Sequence, residues 1–194
     1  MEKFVRVRGA AAPLPLANVD TDMIIPARFM KGLTREGLGA HLFQELRFAP
    51  DGGERPDFIL NRPACRKARF LIADRNFGCG SSREHAVWAL TGFGIRCVIA
   101  PGFGDIFAGN ARKNGLLLIR LSDAICERLR SEVALAQYAP IAVDLEAQHI
   151  ALASGETIAF AIDPGDRRIL MEGLDDIGRT LRHKEAIDAF ESSL

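Results

Sequence analysis

Apolar residues along the chain fall into short runs, and the spacing between the runs carries the fold. Residues 69–74, 95–100 and 116–121 are apolar almost throughout, as strands covered on both faces are. Each run leads into a segment of helical period: 82–91, a stretch from Asp105 toward Asn114, and one from Ser122 to near Ala136. Strand and helix alternating at this interval predict right-handed crossovers and a parallel sheet with helices packed on it. After Pro140 the pattern changes. Residues 141–145, 149–152 and 157–162 alternate apolar and polar, the last two runs across Ser154-Gly155, which predicts antiparallel hairpins.

The first third is less regular. Residues 4–7 alternate as a short strand does, and 10–16, with Pro13 and Pro15, read as extended chain. The string Asn18-Val19-Asp20-Thr21-Asp22-Met23-Ile24-Ile25-Pro26 reads as an Asx-rich turn or helix start. Residues 39–48 have a helical period that Pro50-Asp51-Gly52-Gly53 ends, and 51–63 form a polar, proline-punctuated surface excursion. A last helix is expected over 184–190. With no internal repeat, low-complexity tract or linker, residues 1–194 are expected to form one α/β domain with a β-rich flank.

Composition narrows the partners. Lys+Arg and Asp+Glu number 25 each, so no net field favours nucleic acid, a membrane surface or another polyanion. No apolar run approaches the roughly 20 residues of a membrane span, and no apolar stretch backs the charges of Met1-Glu2-Lys3-Phe4-Val5-Arg6, so a cytoplasmic protein is expected. The four cysteines (Cys65, Cys79, Cys97, Cys126) contain no CxxC pair, so neither metal ligation by this chain nor disulfides are expected.

Chemistry concentrates in Asn76-Phe77-Gly78-Cys79-Gly80-Ser81-Ser82-Arg83-Glu84-His85-Ala86. An apolar strand, a glycine-bearing turn, hydroxyls and a periodic helix make a corner that aims N–H groups and a positive helix end into one small space. The arginine adds a fork-shaped cation suited to a carboxylate. A dinucleotide fingerprint lacks its third glycine, a phosphate-binding P-loop lacks its lysine, and a hydrolase elbow needs its serine midway between glycines. Helix capping by a Ser81-x-x-Glu84 box is expected as well. It leaves the second serine, the arginine and the paired glycines unexplained, and a carboxylate or oxyanion site leads. Cys79 is read as a bystander, and His85 either touches the same pocket or is a structural histidine.

Two strings, 18–26 and 76–86, together resemble those of the small subunits of bacterial 3-isopropylmalate dehydratases in the aconitase superfamily. Similarity extends to Gly39-Ala40-His41-Leu42-Phe43, Ile99-Ala100-Pro101, Asp105-Ile106-Phe107 and Gly173-Leu174-Asp175, nearly the whole chain. The resemblance implies an aconitase-type swivelling domain, three-layered, with a mostly parallel sheet and short antiparallel hairpins. It implies a hydro-lyase of leucine biosynthesis that isomerises 2-isopropylmalate to 3-isopropylmalate through 2-isopropylmaleate. It also implies a large partner subunit that bears a [4Fe–4S] cluster, with no cofactor bound by this chain. Carried onto these residues, Ser81 is the base that removes the carbon-bound proton. Arg83, helped by Ser82, binds a substrate carboxylate, and Asp22 with Thr21 faces the same pocket and orients Arg83 or a partner residue. Phe29, Met30 and Leu33 are expected to wall the branched alkyl group, with Arg28 or Lys31 able to reach an anion. That loop and residues 10–15 are expected to be mobile in the chain alone. Two alternatives stay open: a sister hydro-lyase acting on citraconate, dimethylmaleate or a homoaconitate-like acid, and a non-catalytic binding protein on the same fold.

Overall fold

The computed structural model describes residues 1–30, 34–81 and 83–193, with residues 176 and 179 described by their backbone alone. In chain order its strands are β1 (Arg6–Gly9), β2 (Ala11–Pro13), β3 (Phe70–Ile72), β4 (Cys97–Ala100), β5 (Leu117–Arg120), β6 (Ile141–Asp144), β7 (His149–Ala151) and β8 (Thr157–Ala159). The helices are α1 (Thr21–Ile24), α2 (Gln44–Arg47), α3 (Glu84–Phe93), α4 (Asp105–Lys113), α5 (Asp123–Leu135), α6 (Pro164–Glu172), α7 (Asp176–Leu181) and α8 (Lys184–Glu191).

Two four-stranded sheets organise them. One is wholly parallel, in the order β2-β3-β4-β5; the other is wholly antiparallel, in the order β1-β6-β7-β8. The parallel sheet is covered on both faces because its side chains alternate. Leu71 and Val98 point into one core, beneath α3 and α4. Phe70, Ile72, Cys97, Ile99, Leu117 and Ile119 point into the other, which they share with α5 and the antiparallel sheet. The expected three strand–helix units are all present, and the expected hairpins form a sheet of their own that recruits β1.

Three expectations change. Residues 10–15 are not a mobile segment: Ala11 and Ala12 are wholly buried in β2, and Leu14 N–H donates to the Ile72 carbonyl at 2.8 Å. A strand this short needs no bulky residues when its neighbours supply the core, and the sheet edge tolerates Pro13 because proline lacks only the outward donor. The helical period over 39–48 is not one helix. Phe43 adopts a left-handed φ of 51°, so a 3₁₀ turn at Leu38–His41 and the four-residue α2 stand on either side of it. Helix α6 is not among the expected elements, although its Asp163 cap, Pro164 at the first position and left-handed Gly173 after the end are ordinary signals.

Buried thiols make alkaline pH a probe of this core. Burial pushes the Cys65 and Cys126 thiols up to about 11, and Cys97 well above its usual value. Above the ordinary thiol value of 9.0, the unfolded chain loses these protons while the folded chain keeps them. The contribution is therefore intact below pH 9 and is lost as the pH rises toward 11. Each pH unit in which one unfolded thiol has ionised and its folded counterpart has not removes about 1.4 kcal/mol. Urea midpoints under reducing conditions should hold to about pH 9 and then fall steeply; a flat profile to pH 11 would contradict the burial.

Candidate active site

Strand β3 ends at Ile72, and its continuation is pinned from below. The buried Arg130 of α5 donates Nη1–H to the Ala73 carbonyl at 2.7 Å and pairs with Glu127 at 2.6 Å. The chain then turns at Asn76, whose φ is 59°, and threads between two neighbouring segments. On one side Phe77 N–H donates to Gly102 and Gly104 N–H to Phe77, at 3.0 and 2.9 Å. On the other, Gly78 N–H donates to Val19 and Thr21 N–H to Cys79, at 2.7 and 3.0 Å. Asn76 Nδ2 also donates to Asn18 Oδ1 at 2.9 Å. The loop is thus a one-residue-wide extension of the parallel sheet, at the strands' carboxyl ends where open α/β sheets place their ligands.

Glycine is required at position 78. Its φ is +73°, and a Cβ would stand 2.3 Å from the Phe107 ring. Phe107 in turn packs edge-on against Phe77, with centroids 5.5 Å apart. The loop is held by packing from beneath as well as by hydrogen bonds from both sides.

The held segment carries Ser81 to an exposed position. Helix α3 begins at Glu84, with Arg83 at the cap position and no capping bond from its side chain. The expected Ser81-x-x-Glu84 box is therefore not what starts the helix. Residues 77–79 are held by hydrogen bonds to both neighbours, with the left-handed Gly78 between them, and the helix starts only after the chain leaves them. The Glu84 carboxylate instead accepts from Asn114 Nδ2 at 2.7 Å, and Asn114 Oδ1 accepts from Trp88 Nε1–H at 2.9 Å. The Ser81 side chain lies ahead of the helix mouth and outside the core.

Four of the residues singled out by sequence converge here. Arg83, three-quarters shielded, forms an ion pair through Nη1 with Asp22 Oδ1, on the exposed start of α1. Thr21 is 2 % exposed, and its hydroxyl donates to the Ser81 carbonyl at 3.2 Å. Asp20 caps α1 by accepting from Met23 N–H at 2.7 Å, which fixes the direction of Thr21 and Asp22. Residues 18–22 run beside 75–81 and hold them, with Asp22 reaching Arg83, a pairing across about sixty positions that no local pattern announces.

Arg28, Phe29 and Met30 form a separate neighbourhood. They lie on a 3₁₀ turn, Ala27–Phe29, and its following residue. Arg28 is paired with Glu45 at 2.5 Å and sits 4.6 Å over the Phe29 ring. Phe29 stacks on His41 with centroids 3.9 Å apart and 13° between planes, and His41 Nδ1 lies 3.2 Å from Gln44 Oε1. Arg28 therefore already has an anionic partner. Sequence reasoning misses His41 and Glu45 as the groups that seat this turn, although the Gly39-Ala40-His41-Leu42-Phe43 string is an available signal. Ser82, Lys31 and Leu33 lie outside the described residues.

Among the described residues no group of three or more His, Cys, Asp or Glu side chains is arranged to hold a metal ion. Cys65, Cys97 and Cys126 are wholly buried at separate points of the fold, and burial keeps their thiols protonated where ligation needs thiolates. Only Cys79 is partly accessible. These residues do not fit an iron–sulfur cluster. Nor, among the described residues, is any helix long and apolar enough to cross a membrane.

Known proteins are similar to this chain over nearly its whole length. Residues 1–124 match the aconitase C-terminal domain, 127–164 match a LeuD_N model, and 176–193 match the C-terminal domain of the 3-isopropylmalate dehydratase small subunit. The chain is 56% identical over 193 residues to the 3-isopropylmalate dehydratase small subunit of Granulibacter bethesdensis, covering 100% of this chain and 92% of that one. It is 57% identical over 192 residues to that of Rhodospirillum centenum, covering 99% and 95%. The crystal structure of the 3-isopropylmalate dehydratase LeuD from Methanocaldococcus jannaschii superposes with a TM-score of 0.69 at 25% identity, over 96% of this chain and 99% of that one. Family models, fold and full-length identity agree: the chain belongs to the family of 3-isopropylmalate dehydratase small subunits.

Proposed function

We propose that this chain is the cytoplasmic small subunit of a two-subunit hydro-lyase of leucine biosynthesis. The reaction takes 2-isopropylmalate to 3-isopropylmalate through 2-isopropylmaleate. The observation that carries this reading is the exposed Ser81, presented by a doubly clamped loop at the mouth of α3 with the Asp22–Arg83 pair beside it. Full-length identity above half to small subunits of that name supports the substrate.

In this reading Arg83 receives one substrate carboxylate while Asp22 holds the guanidinium in place. Ser81 Oγ, as alkoxide, takes the proton from carbon, and the electron pair of the broken C–H bond forms the double bond as hydroxide leaves on the opposite side. Rehydration runs the same steps backward with the two carbons exchanged. A serine alkoxide needs a cation, N–H donors and a positive helix end around it, and Arg83 and the first turn of α3 supply them. Phe29 and Met30 face the alkyl group. Departure of hydroxide belongs to the half of the chamber supplied by the large subunit, which carries the [4Fe–4S] cluster, and no step of this chain runs through it.

The test is an assay of hydration of 2-isopropylmaleate, with the chain alone and co-purified with a cluster-bearing large subunit. Activity is expected only in the pair, with kcat/KM highest for the isopropyl substrate. Hydration by the isolated, metal-free chain would refute the two-subunit reading, and preference for citraconate or dimethylmaleate would move the enzyme to the sister hydro-lyases.

A further inference from the structure

We propose that Thr21 is a positioning residue that sets the aim of Ser81; this rests on Ser81 being the base. Thr21 grips the loop twice. Its backbone N–H donates to the Cys79 carbonyl at 3.0 Å, and its hydroxyl donates to the Ser81 carbonyl at 3.2 Å. Between those two carbonyls lies Gly80, whose φ of +92° is a conformation that side-chain-bearing residues rarely adopt. Two bonds that straddle a kink define it. The first holds the Cys79 carbonyl before the kink, and the second holds the Ser81 carbonyl after it. The orientation of the Ser81 Cα–Cβ bond is set between them.

Thr21 cannot itself meet substrate in this arrangement, because it is 2 % exposed and faces the loop from below. Nor is it free to move. Asp20 caps α1 through Met23 N–H and pairs with Cys79 as an isolated parallel bridge, so the residue before Thr21 is fixed on both sides. Asp22, the residue after it, is tied to Arg83. Anchors on successive residues tie the base and the anion clamp to a single short segment. Their spacing is therefore shared, and loosening the middle anchor releases the base while leaving the clamp.

Removal of the hydroxyl alone should separate the two. In the co-purified two-subunit enzyme, Thr21→Val is expected to lower kcat about 10- to 100-fold, the range that displacement of a reacting group by less than an ångström or so produces. KM for 2-isopropylmalate should change less than about threefold, since Arg83 and Asp22 are untouched. The deuterium isotope effect on kcat, measured with substrate labelled at the cleaved C–H bond, should rise because proton removal becomes slower relative to other steps. Thr21→Ser restores the donor and should recover kcat and the parental isotope effect. A merely structural role would instead lower melting temperature with no change in isotope effect, and would overturn the proposal, as would a Thr21→Val enzyme with parental kcat. Ser81→Ala, assayed alongside, separates the two readings. An inactive Ser81→Ala with an unaffected Thr21→Val removes only the role of Thr21. An active Ser81→Ala removes the base and this inference together.

Discussion

Ser81→Ala is expected to yield a folded small subunit that still binds its large partner and supports almost no turnover. Two observations separate catalysis from folding at this position. The side chain is exposed, and the helix that follows does not use it as a cap, since α3 starts at Glu84 with Arg83 in the capping position. Its truncation therefore costs little stability, within about 0.5 kcal/mol for a surface site. The capping expectation predicts a different result: loss of an N-cap hydroxyl would cost about 1 kcal/mol and shift the melting temperature. Loss of a general base lowers kcat by about 10²- to 10⁴-fold. The decisive experiment combines kcat of the co-purified pair with melting temperature and partner retention. Near-normal turnover would remove Ser81 as base. A matching fall in stability would return the residue to the role of cap.

What the sequence disclosed and what it hid follow from how each feature is encoded. The units β3–α3, β4–α4 and β5–α5 are announced by bulky apolar runs, because both faces of the parallel sheet must be filled from the strand itself. β2 is made of Ala11, Ala12 and Pro13, which bury little area and carry no period; its place at the sheet edge is dictated by Phe70, Leu71 and Ile72 across the ladder. The string 76–86 advertises a site because glycines, hydroxyls and an arginine are concentrated in it. That residues 18–22 lie along it is invisible in the sequence, because the hydrogen bonds from Gly78 to Val19 and from Thr21 to Cys79 join positions about sixty residues apart and leave no mark on local composition. The Arg28–Met30 stretch is a similar case. Phe29 is apolar, as expected, but its partner is a histidine from the next turn, and the charge of Arg28 is answered by Glu45 of α2. A residue type states what a side chain can do; only the fold states which neighbour has already engaged it.

Arg83 gives the largest expected effect on substrate binding, and its pairing with Asp22 makes the result specific. The guanidinium spends Nη1 on Asp22, and among the described residues its other nitrogens have no partner, so donors remain to meet a carboxylate. Lysine carries the same charge but has one compact head, so it can hold the aspartate or a carboxylate in place and not both with the same geometry. Arg83→Lys should therefore raise KM and lower kcat/KM about 100-fold, the order of one charged hydrogen bond pair. Asp22→Asn should act more mildly, about 10-fold, because the guanidinium keeps its charge and loses only its orientation. The informative quantity is the double variant. If Asp22 works through Arg83, then once Arg83 is lysine the further loss from Asp22→Asn should be small, and the cycle should show strong coupling. Independent, additive losses would mean that Asp22 meets substrate or the large subunit on its own account. A KM unchanged in Arg83→Lys would mean that the carboxylate is held elsewhere, and that the ion pair serves only to fasten α1 to the start of α3.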